Sequence, residues 1–235
     1  MKLSKQKIKD YCLSKNYDFS ILEKYVEILL EKNKFINLIG FDEETLWTEG
    51  IYSSILCMEE IDKQHNFVKK ELTFLDIGAG SGLPSIPFML LHTNMKLVIL
   101  EPLKKRFDFL MELKTIFNLT NLEIKCDRVE NVFNTNYQFD LITARAVSEL
   151  KNLIMASFHL LKKNGWFVFL KGKNFQNEID IVDKKIPFLK NKLIVNEIEN
   201  PLNEIEIHKN YLVSLKKEQE TPNNWPLLWT KIIKF

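Results

Sequence analysis

The chain has 235 residues with 33 basic and 31 acidic side chains, a formal net charge of +2, which excludes an overall field strong enough to draw nucleic acid by itself. At 46% hydrophobic and 27% charged it is ordinary globular material, long enough for one large α/β domain with an appendage. Cys12, Cys57 and Cys126 are scattered and odd in number, and the four histidines lack ligand spacing, so neither a disulfide framework nor a metal site is expected.

These cysteines fit a reducing, cytoplasmic compartment. Met1-Lys-Leu-Ser-Lys5 opens onto a charged helix rather than an apolar stretch, which argues against a signal peptide. No apolar run approaches the roughly 18 residues needed to span a bilayer. Charge is uneven: residues 41–62 hold seven acids and no Lys or Arg, whereas residues 162–192 hold eight Lys against three acids. Blocks of this kind are most often solvated helix faces.

The first 65 residues read as a helical extension. A short helix over 4–16 carries Ile8, Tyr11 and Cys12 on one face. Ser20-Ile-Leu-Glu23 has the spacing of a capping box and predicts a helix to Lys32 with Leu22, Tyr25, Val26, Leu29 and Leu30 as its apolar stripe. Asp42 caps a third helix, with Glu43 and Glu44 in the first turn, where the helix dipole favours them. Its expected buried side is Leu46, Trp47, Ile51, Ile55 and Met58.

Residues 66–235 change rhythm to apolar runs alternating with amphipathic segments, the pattern of parallel βαβ units. Strands are expected at 73–77, 96–100, 122–126, 139–143, 165–170, 193–198 and 208–215, with Asn164-Gly165 as the turn before the fifth. Helices are expected at 85–92, 103–117, 149–161 and 175–189. The last two strands are joined by a loop alone, so the sheet should end in an antiparallel pair. The fold class is therefore α/β: a doubly wound, mostly parallel seven-stranded sheet with an N-terminal helical extension.

Gly78, Gly80 and Gly82 fall at the turn from the first of these strands to its helix, where backbone N–H groups face a ligand. The spacing is neither the dinucleotide pattern Gly-x-Gly-x-x-Gly nor a P-loop, because no Lys-Ser or Lys-Thr follows. Asp76 ends the first strand, Glu101 ends the second and Asp127 the third. By itself Glu101 reads equally as a helix cap before Pro102 or as an acceptor for both hydroxyls of a ribose at a topological switch point. Three acids around a loop without basic residues suit the cationic sulfonium of S-adenosylmethionine better than NAD or ATP.

Asp76-Ile-Gly-Ala-Gly-Ser-Gly-Leu-Pro-Ser-Ile-Pro87 is followed by Leu100-Glu-Pro-Leu-Lys-Lys-Arg-Phe-Asp-Phe-Leu110 and Asp127-Arg-Val-Glu130. Phe139-Asp-Leu-Ile-Thr-Ala-Arg-Ala146 and Leu170-Lys-Gly172 complete the series. In order and spacing these motifs resemble the RsmG (GidB) family over about residues 20–215. The resemblance implies a class I methyltransferase fold, S-adenosylmethionine as cofactor, and N7 of a guanine in 16S ribosomal RNA as target. It places Gly78, Gly80 and Gly82, with Asp76, Ala79 and Leu83, around the methionine part. Glu101 goes to the ribose, and Asp127, Arg128, Val129 and Glu130 to the surroundings of the adenine. Arg145 and Lys171 are implied at the transfer point as cations for the target base or RNA phosphate, with Arg145 also implied among the cofactor-binding residues; Arg145 pairing with Glu149, or a solvated Lys171, is the bland alternative.

Two stretches depart from the family pattern. Gly50-Ile-Tyr-Ser-Ser54 stands where a His-Ile-Leu-Asp-Ser motif is usual, and Thr221 to Lys231 replaces a basic motif near the C-terminus. A methyltransferase of another RNA or of a small molecule, or a non-catalytic cofactor-binding RNA module, therefore stays open on the sequence. Guanine N7 carries a free lone pair at neutral pH, so no general base is expected. A splayed base calls for an aromatic partner, with Trp166, Phe175 and Trp225 as the aromatics considered, though such residues are more often core. The remaining expectations are a monomer, no metal and no membrane partner.

Overall fold

The computed structural model describes residues 3–132 and 138–235. The helical part comprises α1 (Leu3–Ser14), α2 (Phe19–Asn33), α3 (Glu43–Thr45), a π-helical stretch (Leu46–Tyr52) and α4 (Ser53–His65). The alternating part runs β1 (Thr73–Ile77), α5 (Ser85–Leu91), β2 (Lys96–Leu100), α6 (Lys104–Ile116), β3 (Leu122–Lys125) and β4 (Phe139–Ala144). It continues with α7 (Leu150–Ser157), β5 (Leu161–Lys171), α8 (Phe175–Lys185), β6 (Ile194–Glu197), β7 (Tyr211–Lys216) and a short α9 (Trp229–Ile232).

The seven strands lie in the order β3-β2-β1-β4-β5-β7-β6, parallel except for β7, which is antiparallel to both its neighbours. The chain reverses direction across the sheet between β1 and β4, which leaves a crevice at the carboxyl ends of those strands. Successive side chains of each strand point to opposite faces, so Phe74, Leu97, Ile99, Leu141 and Val168 join one apolar cluster. Leu75, Leu100, Ile142, Phe167 and Phe169 join the other. The first cluster is shared with α1 to α4, where Tyr25, Trp47 and Tyr52 are fully covered and Trp47 stacks on Phe19 at 5.1 Å. Each such side chain contributes about 1.5–3 kcal/mol relative to exposure, so the helical extension is fastened to the sheet by its own core.

Four details differ from the sequence expectation. Helix α2 is capped by Asp18, whose carboxylate accepts from the Ser20 N–H at 2.9 Å; Glu23 pairs instead with Lys5. Asp42 does cap α3 through the Thr45 N–H, but the following turns widen into a π-helix. That widening buries Leu46, Trp47, Gly50, Ile51 and Tyr52 together, a broader arc than one face of an α-helix offers. Asn164-Gly165 is an irregularity inside β5 rather than a turn before it, since the Asn164 N–H and the Gly165 carbonyl both bond Lys217. Strand β7 starts at Tyr211, three residues late, because the His208 N–H is taken by the Glu49 carboxylate.

Candidate functional site

Glycines 78, 80 and 82 all adopt positive φ, at 68°, 60° and 102°, and form the turn between β1 and α5. Gly78 donates to the Leu100 carbonyl at 2.8 Å, and the Gly82 and Leu83 N–H groups fold back onto the Ala79 carbonyl. A Cβ on Gly82 would stand 2.6 Å from Ile86 Cγ1. One on Gly78 would stand 2.8 Å from Val147 Cγ2, so the segment after β4 lies directly on the glycine turn. The turn is also held from the helical extension, where the buried Tyr25 hydroxyl donates to the Ser81 carbonyl at 2.8 Å.

Glu101 is 1% exposed and bridges two elements. Its Oε2 accepts from the Gly80 N–H at 3.0 Å and its Oε1 from the Leu103 N–H at 2.9 Å; Leu103 is itself the N-cap of α6 and the helix has no side-chain cap bond, so Glu101 braces the approach to the helix rather than capping it. Each oxygen keeps a second lone pair for a ligand hydroxyl. Asp127 is exposed and holds the turn Val129–Asn131 by accepting from the Arg128 N–H and the Asn131 amide. Val129 and Glu130 are buried beneath it, and Arg128 reaches Glu130 at 3.9 Å.

Two clefts meet at the glycine turn. The smaller, about 240 Å³, runs over Gly78, Glu101, Leu103, Asp127 to Glu130, Val147 and Trp229. The larger, about 810 Å³, is lined by Leu38 to Phe41, Glu49, Ser53, Gly78 to Ser81, Leu83, Arg145 to Glu149 and Lys171. Arg106 and Val147 line both, and Arg106 has no carboxylate within ion-pair distance among the described residues. Its guanidinium lies over Gly80, the nearest atom to a Cβ placed there, at 3.7 Å. The Lys-Lys-Arg-Phe motif at the start of α6 contains Arg106, but nothing local in the sequence shows that this side chain reaches back over the glycine turn.

Arg145 follows β4 and is half-buried. Its guanidinium donates to Ser54 Oγ at 3.0 Å rather than pairing with Glu149, and Ser54 in turn donates to the Gly50 carbonyl. Desolvation holds the Arg145 pKa below the usual value, opposed by the nearby Cys57, Asp76, Tyr25 and Glu49. Lys171 is not a solvated cation. It donates to the Ser148 carbonyl at 2.7 Å and to Glu178 at 2.6 Å, and Glu178 also accepts from the Leu150 N–H. Lys171 thus ties the loop after β4 to the starts of α7 and α8, with one N–H left over.

Asp76 is fully buried, accepting from Ser85 Oγ at 2.5 Å, while its Oδ1 has no partner. Burial raises its pKa to about 7, Ser85 and Arg145 pull it down, and Glu101 pushes it up. An acid raised in the folded state stabilises the protein fully below its unfolded value near 4, and that contribution is lost as pH rises through about 7. Asp76→Asn should therefore melt on the order of 5 °C above the wild type at pH 8 and converge with it near pH 4, by differential scanning fluorimetry without ligand.

The aromatics considered on the sequence are occupied elsewhere. Trp166 packs on His65 at a pocket of β5 residues 163–166, away from the glycine turn. Phe175 lies 4.5 Å from Tyr211, and Trp225 packs against Phe158 and Phe188. Among the described residues no group of three or more His, Cys, Asp or Glu could hold a metal, and no helix is long and apolar enough to cross a membrane. Tyr25, Ser54, Ser85 and Arg106 went unnoticed as site residues, since the contacts that matter join positions up to 91 residues apart.

Residues 18–205 match the model of the family described as GidB, rRNA small subunit methyltransferase G. A ribosomal RNA small subunit methyltransferase G from Mycoplasmopsis pulmonis is 39% identical over 221 residues, covering 92% of this chain and 91% of its own. One from Oceanobacillus iheyensis is 33% identical, covering 86% and 84%. Among solved structures, an O-methyltransferase from Bacillus cereus in complex with SAH superimposes with a TM-score of 0.53 at 14% identity, over 83% of this chain and 91% of that one. A putative caffeoyl-CoA O-methyltransferase from Staphylococcus aureus gives 0.52 at 17% identity, over 92% and 100%. At such identities these two speak for the fold alone, which is that of class I methyltransferases.

Proposed function

The chain belongs to the rRNA small subunit methyltransferase G family, and from that premise we propose that it moves the methyl group of S-adenosylmethionine to N7 of a guanine in 16S ribosomal RNA. The observation that carries the reading is the junction of the two clefts at the glycine turn. One cleft suits an adenosine, with Glu101 for the ribose hydroxyls and Asp127 to Glu130 around the adenine. The methionine part then crosses the turn, and its sulfonium methyl faces the larger cleft. Residues 1–65 supply one wall of that cleft and residues 66–235 the cofactor side.

The attacking N7 lone pair needs no base to free it, so the chemistry rests on holding nitrogen, methyl carbon and sulfur in line. Well-oriented reactants gain on the order of 7 kcal/mol in this way. Arg145 has N–H groups beyond the one given to Ser54 and offers them to the guanine O6, which leaves N7 free. Asp76 lies close enough to Arg145 for each to shift the other's titration. Lys171, committed to Ser148 and Glu178, fixes the loop that carries Arg145 to Glu149.

Purified protein incubated with small ribosomal subunits and labelled cofactor should place the label on N7-methylguanine. Label at another atom, or none, overturns the substrate assignment, while the absence of S-adenosylhomocysteine binding in a calorimeter overturns the cofactor assignment.

Arg106, the cation over Gly80, is placed to meet the methionine carboxylate. Arg106→Gln should weaken S-adenosylhomocysteine binding roughly tenfold, the worth of one charge-assisted hydrogen bond, and leave 5′-methylthioadenosine, which lacks the amino-acid part, unchanged. An equal loss for both ligands would mean that Arg106 serves the nucleoside instead.

A further inference from the structure

The rim of the larger cleft carries an aromatic ring that is partly open to solvent. Phe41 is 36% exposed and lines the cleft. Its backbone is nonetheless fixed on both sides. Asn33, at the end of α2, accepts from the Leu38 and Ile39 N–H groups at 2.8 and 3.0 Å and donates to the Ile39 carbonyl at 3.1 Å. Leu38 is buried, and Asp42 immediately after Phe41 caps the next helix. The loop is therefore stapled before any ligand arrives, and it presents a phenyl ring to water, which apolar burial would otherwise disfavour.

We propose that Phe41 is the stacking platform for the target base, an unstacked purine of the RNA. This rests on the ribosomal RNA reading above. The same cleft holds Arg145, whose N–H groups suit the base edge, so face and edge of one planar heterocycle are both provided for. A flat π surface stabilises a base that has left its own stack, and a branched aliphatic of equal hydrophobicity does so far less well. Phe35, on the same loop and 80% exposed, does not line the cleft.

The test compares Phe41→Leu, Phe41→Trp and Phe35→Leu in methyl transfer to small ribosomal subunits, with S-adenosylhomocysteine affinity as the second readout. Stacking on one base is worth roughly 10- to 100-fold, so Phe41→Leu should lose that much in kcat/KM for RNA with cofactor affinity unchanged. Phe41→Trp should stay within about threefold of the wild type, and Phe35→Leu should lose less than Phe41→Leu. Full activity of Phe41→Leu, failure of Phe41→Trp to retain activity, or equal losses at Phe35 and Phe41 each overturn the platform. If the wild type itself leaves the RNA unmethylated, the substrate reading falls and takes this proposal with it; a methylating wild type with an indifferent Phe41 removes this proposal alone.

Discussion

Gly82→Ala is expected to raise the dissociation constant of S-adenosylhomocysteine by roughly 10- to 100-fold and to lower the melting temperature by about 5 °C. The backbone at φ 102° is one that a side chain rarely adopts, and the new Cβ would stand 2.6 Å and 2.9 Å from Ile86 Cγ1 and Cβ. Ile86 is fully buried in the apolar cluster on the helical side and has nowhere to retreat. The turn would have to open, disturbing the Gly82 and Leu83 N–H bonds to the Ala79 carbonyl and, beside them, the Gly80 N–H bond that positions Glu101. Gly40→Ala is the control, because a Cβ there meets nothing within 4 Å and the backbone asks for no glycine. Isothermal titration calorimetry beside thermal melts separates the two effects. Unchanged cofactor affinity in a folded Gly82→Ala protein would remove the turn from the binding site.

Arg145→Ala should cut the rate of methyl transfer to ribosomal RNA by about 100-fold, the upper end for a hydrogen bond from a charged group, while S-adenosylhomocysteine binding stays within about threefold. The fold should survive, since Ser54 keeps its bond to the Gly50 carbonyl when it loses the one it accepts from Arg145. Arg145→Lys keeps the charge but not the planar fork, and should recover only part of the rate. A second readout follows from the electrostatics. Arg145 lowers the pKa of Asp76, so its removal should move the ligand-free stability change with pH to values above about 7. A rate unchanged by Arg145→Ala would sink the role given to this residue, and a loss of cofactor affinity matching the loss of rate would reassign it to the cofactor.

The parts of the site legible in the sequence are those written in local pattern. Three glycines within five residues after a β-rich run announce a turn with positive φ, and an acid ending the next strand is brought beside it by parallel pairing alone, Ile77 opposite Leu100. The seven strands and the antiparallel end followed from apolar runs and connection lengths. What was not legible depends on who meets whom across the fold. Lys171 is separated from Glu178 by a turn into α8, and nothing local says that the pair closes. Ser54 sits in a stretch notable on the sequence for what it lacks, yet the hydroxyl that remains receives Arg145. Exposure was equally hidden: Trp166, Phe175 and Trp225 look as available as Phe41 in a string of letters, and only packing distinguishes them. The π-helix is a case where burying many apolar side chains prevailed over ideal backbone repeat, whereas the Asn164 irregularity falls in the polar, solvent-facing stretch Lys162 to Asn164.

The bond from Tyr25 to the Ser81 carbonyl joins the helical extension directly to the glycine turn. Asn33, at the far end of the same helix, holds the loop that bears Phe41, so α2 touches both the glycine turn and that loop. Equilibrium linkage is symmetric, so whatever free energy the cofactor lends to RNA binding, RNA must return to the cofactor in equal amount. Occupancy of one ligand thus becomes a gauge of the other, and the order in which the two arrive cannot alter the stability of the ternary complex.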